Sequence, residues 1–281
     1  TFYLYALLKG VSMKISIVGS GHVGLVTGVC FAEIGHQILC VDNDAEKLEA
    51  LRKGKVPFYE PGLERLLRKH LKTKRLAFTE SIRKGTIASE VIFIAVGTPS
   101  RPNGEADLSY VESVSREIAK AMTRYRLIVE KSTVPVETGG WVYRTIRQTL
   151  KKNIPFDVAS NPEFLREGQA VHDFLKPDRV VLGVESKKAE KLLLDIYRPL
   201  IAPMVVTDIK SAEIIKHASN SFLSTKISFI NMVAALSDKV GADIVKIAEG
   251  IGLDRRIGRN FLSAGVGFGG LAGRFLGFGQ L

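Results

Sequence analysis

Cysteine is scarce in this sequence, which has 281 residues but only two cysteines, Cys30 and Cys40. Cys30 lies in an apolar run of helical character, and Cys40 lies within the strand-like run ILCVD. Neither has a CxxC partner or a histidine neighbour, and this usage is typical of a reducing compartment. We therefore predict two buried thiols, no catalytic role for either, and a cytoplasmic location.

Long apolar runs and metal-binding patterns are also missing. No uninterrupted apolar stretch reaches the roughly 18 residues that a membrane helix needs, so we predict no membrane association. The five histidines show no metal-ligand spacing, and we expect no metal. Residues 1–12 (TFYLYALLKGVS) begin apolar, but no basic segment precedes them and no A-x-A-like cleavage site follows. We interpret them as an extension upstream of Met13 and not as a signal peptide.

Acidic residues are the minority charge: 29 Asp and Glu stand against 40 Lys and Arg, a net charge of +11. Basic residues cluster modestly at positions 68–70 and 72–75. Three interpretations stay open: a solvated helix face, a nucleic-acid patch, or an attraction for small polyanions such as dinucleotides. The solvated face is favoured, and we expect no nucleic-acid partner.

Apolar runs of strand length alternate with amphipathic runs of helix length. This alternation predicts an α/β fold, with a doubly wound parallel sheet of the Rossmann type followed by a long central helix and a small helical domain. The predicted strands are 15–18, 37–41, 90–96, 127–131, 156–159, 179–184 and 204–207. The predicted helices include 23–34, 45–53, 61–70 (opened by Pro61), 108–122, 138–150 and 209–240.

A G-x-G-x-x-G motif, from Gly19 to Gly24, follows the first predicted strand and opens the first helix. Gly19 permits a tight turn, Gly21 lets a pyrophosphate approach the backbone, and Gly24 lets helix and strand pack closely, with Val23 inside the same turn. The second strand ends in Asp42, whose carboxylate suits ribose hydroxyls and repels a 2′-phosphate. The motif in this context predicts that the chain binds NAD in preference to NADP.

Further blocks resemble the UDP-glucose 6-dehydrogenase family, within the UDP-glucose/GDP-mannose dehydrogenases. The resemblance runs from Met13 to Gly270, and the NPEFLREG form is more similar to the UDP-glucose branch than to the N-acetylmannosamine branch. The blocks are AVGTP (95–99), EKSTVP (130–135), NPEFLREG (161–168), KPDR (176–179), Lys216 with Asn220, and GFGG (267–270).

The resemblance implies an oxidoreductase that uses two NAD to oxidise the C6 alcohol of UDP-glucose to the carboxylate. It implies acid–base work by Glu163, a water positioned by Thr133, and Arg256 reaching the substrate of a neighbouring subunit. The implied catalytic residues are Thr133, Glu163, Glu167, Lys216 and Asn220. Lys47, Thr98, Thr133 and Glu167 join Asp42 around the cofactor. The implied substrate contacts are Glu163, Phe164, Leu165, Arg166, Glu167, Lys216, Asn220, Arg256, Phe261, Leu262, Ser263, Ala264, Gly265 and Gly269.

Two of these implied pairs have helical spacing. Lys216 and Asn220 are four residues apart, so a helix places an ammonium and an amide on one face, where they suit a developing oxyanion. Glu163 and Glu167 have the same spacing just after Asn161-Pro162, which predicts a helix start there. Either pair alone is equally typical of a solvated helix face.

The sequence departs from the family after Gly270. The family continues into Ser-Cys, and its cysteine is the nucleophile that forms a thioester. Here Ala272 stands in the place of that cysteine, and Leu276 stands where the family has an aspartate. We expect a loosely packed tail over 265–281, no carboxy-terminal nucleotide-sugar domain, and an inactive chain.

The predicted organisation is therefore an extension (1–12), an NAD-binding domain (13–208), a central dimerisation domain (209–264) and an aberrant tail (265–281). We expect a homodimer through the long helix, whose apolar residues recur at helical spacing. The stripe comprises Phe222, Leu223, Ile227, Ile230 and Val233. The alternatives are a non-catalytic NAD-binding module, a dehydrogenase acting on GDP-mannose or UDP-N-acetylmannosamine, and a 3-hydroxyacid-type dehydrogenase, which needs no cysteine.

Overall fold

The computed structural model describes residues 12–265, and its centre is one eight-stranded sheet. The strands are β1 (Lys14–Val18), β2 (Gln37–Val41), β3 (Leu76–Thr79), β4 (Val91–Ile94), β5 (Arg126–Glu130), β6 (Phe156–Ser160), β7 (Val180–Val184) and β8 (Met204–Thr207). Their spatial order is β3-β2-β1-β4-β5-β6-β7-β8. The pairings from β3 to β6 are parallel, β7 runs antiparallel to β6, and β8 is parallel to β7.

Helices connect most of the strands. They are α1 (His22–Glu33), α2 (Ala45–Arg52), α3 (Leu63–Lys72), α4 (Ile82–Ala88), α5 (Ser109–Ala121), α6 (Thr138–Thr149), α7 (Ala170–Leu175), α8 (Lys187–Tyr197), α9 (Ile209–Val240) and α10 (Ile244–Gly252). The long helix α9 has clear end signals in the sequence. The Asp208 carboxylate accepts a hydrogen bond from the Ser211 amide at its start, and Gly241, at φ 74°, ends it in the left-handed conformation.

Both faces of the sheet are covered, because neighbouring residues of a strand point to opposite faces. On β1, Ile17 packs into a cluster that includes Phe31 of α1. Val18 packs into a second cluster with Ile118 of α5 and Val142 of α6. The predicted doubly wound α/β fold is therefore confirmed. The reversal of β7 was not predicted, since an apolar run gives no information on strand direction.

The strand order reverses beside β1, and this sets the position of the site. From β1 the chain moves outward to β2 and β3, then crosses to β4 on the other side. The loops after β1 and β4 therefore diverge and leave a crevice at the carboxyl ends of the strands, where open α/β sheets bind ligands.

Three local expectations were wrong or incomplete. The helix predicted to open at Pro61 begins at Leu63, because Gly62 adopts φ 81° and breaks helical geometry before it. The strand β3 and the short helix α4 were not predicted. Ile230, predicted to lie in the dimer stripe, is fully buried within its own chain, whereas Phe222 is 66% exposed.

Some expectations lie outside the described residues, namely those on residues 1–11 and 266–281, including Gly269 and Ala272. Among residues 12–265, no helix is long and apolar enough to cross a membrane. Within that same range, no cluster of three or more His, Cys, Asp or Glu side chains suits a metal ion.

Candidate dinucleotide and active site

The three glycines of the turn after β1 occupy three different environments. Gly19 adopts φ 100°, and a Cβ there would lie 2.4 Å from the Ala95 carbonyl oxygen. A Cβ on Gly24 would lie 1.9 Å from the Gly19 carbonyl oxygen, so helix and turn are in contact at that point. A Cβ on Gly21 would meet no described atom within 4 Å. The turn is closed at its first and third glycines and open at its second.

This opening lies at the amino terminus of α1, where backbone N–H groups lack helical partners. No side chain caps this end, and its first turn contains no acidic residue. An uncapped helix start beside an open glycine suits a pyrophosphate, which the N–H groups and the helix dipole both favour. The turn therefore fits a dinucleotide.

Asp42 follows β2 beside this turn and is well supplied with donors. One carboxylate oxygen accepts from the Ser20 amide at 2.8 Å and the Ser20 hydroxyl at 2.6 Å, and the other accepts from the Asp44 amide at 3.0 Å. The Lys47 ammonium lies 3.1 Å from both oxygens. Burial raises the pKa of Asp42, but these hydrogen bonds outweigh it and leave the pKa below its ordinary value. Asp42 is thus a carboxylate that also holds the glycine turn.

The loops after β4 and β5 are joined beside the crevice. The Thr98 hydroxyl donates to the Thr133 carbonyl at 2.9 Å, and the Ser132 hydroxyl donates to the Val96 carbonyl at 2.8 Å. The His217 Nε2 lies 2.6 Å from the Val134 carbonyl oxygen, which ties the same loop to α9. Two residues predicted for the cofactor site, Thr98 and Thr133, are therefore in direct contact.

A buried ion pair lies next to these loops. The Lys216 ammonium on α9 is 2.9 Å from one Glu163 oxygen, and their side chains are only 6% and 11% exposed. The other oxygen accepts from the Leu165 amide at 2.6 Å. Burial raises the pKa of Glu163, but Lys216 and this amide together bring it below its ordinary value. Glu163 is therefore a carboxylate at neutral pH.

Asn220 lies one helical turn after Lys216 and is 6% exposed. Its Nδ2 is buried, and no described residue accepts a hydrogen bond from it. Leaving a buried donor without a partner costs about 1–3 kcal/mol, so such groups are usually satisfied by a ligand or by water. The structure places Lys216 and Asn220 one turn apart on the buried side of α9, so the unpartnered donor lies one helical turn from the ammonium.

The helix predicted to begin after Pro162 is not formed, and Glu163 and Glu167 do not share a helix face. Helix α7 begins only at Ala170. The reason is local: the Glu163 carboxylate bonds the amide two residues ahead, which competes with helical hydrogen bonding. Glu167 is exposed, and the Arg166 guanidinium pairs with Asp173 at 2.7 Å.

Phe164 lies beside the ion pair. Its ring centroid is 3.6 Å from the Arg179 guanidinium carbon and 5.3 Å from the Lys216 nitrogen. Leu165 packs against the core cluster of α1 and α8. Two cations therefore lie near this ring, and its face interacts favourably with the closer one.

The predicted segment after α10 lies near the middle of α9. Leu262 is buried, Ser263 to Gly265 are exposed, and the Gly265 amide donates to Asn231 at 2.9 Å. Phe261 adopts φ 64°. Arg256 is exposed and pairs with Asp254 at 2.6 Å.

Lys131 and Asn161 also contribute to the site, although the sequence pattern assigned neither of them a role there. Lys131 is only 4% exposed, and its ammonium donates to the Asn161 side-chain oxygen at 3.1 Å. Tyr197 donates to the same oxygen at 2.5 Å. Burial lowers the pKa of Lys131 to about 8, with opposing effects from Glu163 and Lys216. Pairing across strands, absent from a linear pattern, brings Lys131 to Asn161.

Comparison with known proteins identifies the family of this chain. The model for the NAD binding domain of the UDP-glucose/GDP-mannose dehydrogenase family matches residues 13–201, and the model for its central domain matches residues 210–273. The chain belongs to this family. It therefore carries the NAD-binding domain of a family of oxidoreductases, and the 3-hydroxyacid-type alternative is wrong.

Three named relatives are between 37% and 50% identical in sequence to this chain. The UDP-glucose 6-dehydrogenase TuaD of Bacillus subtilis is 50% identical over 92% of this chain. A UDP-glucose dehydrogenase structure from Pyrobaculum islandicum has a TM-score of 0.92 at 44% identity, covering 96% of this chain and 63% of that one. A GDP-mannose dehydrogenase from Pseudomonas aeruginosa has a TM-score of 0.84 at 37% identity, covering 89% and 58%. The chain spans only 56% of the length of TuaD.

Proposed function

We propose that this chain binds NAD at the turn from Gly19 to Gly24 and a UDP-sugar, UDP-glucose by its relatives, beside the Glu163–Lys216 pair. The proposal rests mainly on that pair, a buried ammonium and carboxylate 2.9 Å apart. Near it lie the side-chain amide of Asn220, whose nitrogen has no partner among residues 12–265, and the loops that hold Thr98 and Thr133. A buried ion pair is weak evidence for stability, so a functional role explains its presence better. We propose residues 13–208 as the cofactor domain and 209–264 as the central domain.

The proposed chemistry is oxidation of the C6 alcohol of the sugar. Lys216 and Asn220 would donate to the oxygen at C6 as negative charge develops on it, and Thr133 would position water. Glu163 would hold Lys216 in place and accept the proton of the C6 hydroxyl through that water as the hydride leaves C6. Bound NAD would supply the hydride acceptor.

We further propose that the 281-residue polypeptide does not complete the oxidation to UDP-glucuronate. That step in the family uses a thiol, and residue 272 is alanine. Cys30 and Cys40 are both 0% exposed, and burial raises the pKa of each thiol well above its ordinary value. Neither of these cysteines, the only two in the sequence, can provide a thiolate to a bound sugar.

The test is calorimetric titration of the full chain with NAD and with UDP-glucose, followed by an assay for NADH and for the acid product. We expect NAD to bind both to the unmodified chain and to Lys216→Met, which shows that the variant is folded. Lys216→Met should abolish UDP-glucose binding, and no UDP-glucuronate should form. Lys210→Met is the matched control, because Lys210 lies on the same helix but is 66% exposed in a surface pair with Glu137. Equal loss of UDP-glucose binding in both variants, or turnover near an ordinary 10 s⁻¹, would contradict the proposal.

We also propose a cytoplasmic homodimer through α9, supported by an apolar stripe on its surface. Of the stripe predicted from the sequence, only Phe222 belongs to this exposed set. Its residues are 47–69% exposed and recur at intervals of seven, three, four and four positions: Phe222, Phe229, Met232, Leu236 and Val240. Exposed apolar residues at this spacing suit packing against a second helix. Sedimentation at several concentrations should show a dimer that Leu236→Glu weakens, whereas a monomer throughout would contradict it.

A non-catalytic NAD-binding module is the second candidate, and the alanine at position 272 favours it. It differs from the first in one respect that titration measures. A module would bind NAD but not UDP-glucose. The same titration with GDP-mannose and UDP-N-acetylmannosamine decides among the nucleotide sugars.

A further inference from the structure

Glu60 belongs to neither the glycine turn nor the segment 161–168, yet it contacts both. It lies in the connection between α2 and α3, and its side chain is 0% exposed. An isolated buried carboxylate is strongly unfavourable unless nearby groups hold it. The groups that contact the Glu60 carboxylate therefore decide what this residue does.

One oxygen of Glu60 makes both contacts. It accepts from the Gly168 amide at 2.9 Å and lies 3.2 Å from the Nε2 of His22. His22 directly follows Gly21 and is the first residue of α1. Gly168, at φ 77°, ends the segment that carries Glu163. A single oxygen thus joins the proposed pyrophosphate turn to the proposed catalytic segment.

The other oxygen of the Glu60 carboxylate lacks hydrogen-bond donors among the described residues. The second oxygen of Glu60 is buried and has no partner among residues 12–265. Asp42 by contrast accepts from Ser20, Asp44 and Lys47. Because only two contacts hold the Glu60 carboxylate, a change at either one should reach the other.

His22 is itself placed to respond to the cofactor. Its ring packs against Phe58 with the centroids 4.8 Å apart, and its side chain is 18% exposed. A dinucleotide at the open face of Gly21 would order the backbone at His22. Because Phe58 holds the His22 ring, the ring would then be fixed more firmly against the Glu60 carboxylate.

We propose that Glu60 is a positioning residue that couples dinucleotide binding at the glycine turn to the order of the segment carrying Glu163. The proposal rests on the proposed binding of NAD at that turn. Because its side chain is 0% exposed, Glu60 is not placed to meet a ligand directly. It acts through the Gly168 amide.

The test measures hydrogen exchange of the Gly168 amide in the full chain, without NAD and with NAD at saturation for each variant. We expect NAD to slow this exchange about fivefold, the effect of strengthening one hydrogen bond by about 1 kcal/mol. His22→Phe keeps the ring but removes the donor, and it should abolish the NAD effect. His22→Gln restores a side-chain N–H donor, and it should recover part of the effect.

Two controls keep the result decisive. Tyr197→Phe removes the hydroxyl that anchors Asn161 at the other end of the same segment, so exchange should rise while the NAD effect persists. Glu60→Ala removes the acceptor of the Gly168 amide, so exchange should rise without NAD and the NAD effect should be lost as in His22→Phe. If NAD binds but its effect on Gly168 is absent in the unmodified chain or survives in His22→Phe, the coupling is overturned alone. If NAD does not bind at all, the proposed function is overturned with it.

Discussion

A substitution at Gly21 should weaken cofactor binding without lowering the stability of the fold, which distinguishes it from Gly19 and Gly24 in the same turn. Its backbone is at φ −69° and ψ −169°, which any residue adopts, and an added Cβ meets no described atom within 4 Å. Gly21→Ala should therefore leave the free energy of unfolding within about 0.5 kcal/mol of the unmodified chain. The methyl group would instead occupy the space that the pyrophosphate needs.

The expected loss of affinity follows from the hydrogen bonds displaced. Each backbone N–H bond to a charged phosphate is worth about 1.5–3 kcal/mol, so losing one weakens NAD binding roughly tenfold to hundredfold. Gly24→Ala should behave in the opposite way. Its Cβ would lie 1.9 Å from the Gly19 carbonyl oxygen, and such overpacking destabilises by about 1–3 kcal/mol or more.

Urea unfolding and calorimetric NAD titration measure the two effects separately. Gly250→Ala is the matched control, since its Cβ also meets nothing within 4 Å but lies in α10. It should leave NAD affinity unchanged and raise the free energy of unfolding by about 0.5–1 kcal/mol, because alanine is the better helix former. Unchanged NAD affinity in Gly21→Ala would refute the assignment of the turn to the pyrophosphate.

Three further predictions concern charge and burial. Lys216→Met leaves Glu163 buried without its partner and should lower the free energy of unfolding by about 3–5 kcal/mol, which adding Glu163→Gln should partly restore in urea melts. Asp42→Asn keeps the shape but removes the charge that faces a 2′-phosphate. At an effective dielectric near 20, Coulomb repulsion at about 5 Å is about 3 kcal/mol, and Lys47 cancels part of it, so the NAD preference over NADP should fall roughly tenfold. Titration with both dinucleotides measures it, and an unchanged ratio would contradict the assignment. Cys30 and Cys40 should not react with a thiol reagent until the chain is unfolded, and fast reaction of either in the native chain would contradict their burial.

The cofactor half of the site is predictable because its information is local. The glycine motif spans six residues where a strand leads into a helix, and Asp42 directly follows the next strand. Spacing alone therefore fixes which backbone groups meet. The pair of Lys216 and Asn220 is predictable for the same reason, as one helix carries both.

The catalytic half depends on contacts between distant segments, and the sequence pattern indicates them poorly. The spacing of Glu163 and Glu167 suggested a helix, but the partner that decides the position of Glu163 is Lys216, far along the chain. Lys131 meets Asn161 only because β5 and β6 are neighbours in the sheet. Glu60 has no pattern around it at all, and only the fold brings it to His22 and Gly168.

The two oxidations of the proposed reaction depend on different parts of the chain, and this explains how binding and turnover can separate. Removing a hydride from an alcohol requires a held cofactor and donors for the developing oxyanion, which Lys216 and Asn220 on one buried helix turn can supply. Converting the resulting aldehyde through a thioester requires a thiolate that the sugar can reach. Cys30 lies on α1 and Cys40 on β2, both side chains are part of the core cluster, and residue 272 is alanine. A chain of this sequence should therefore retain ligand recognition while lacking the second step, because the groups for recognition lie in the sheet and α9 and no accessible thiol joins them.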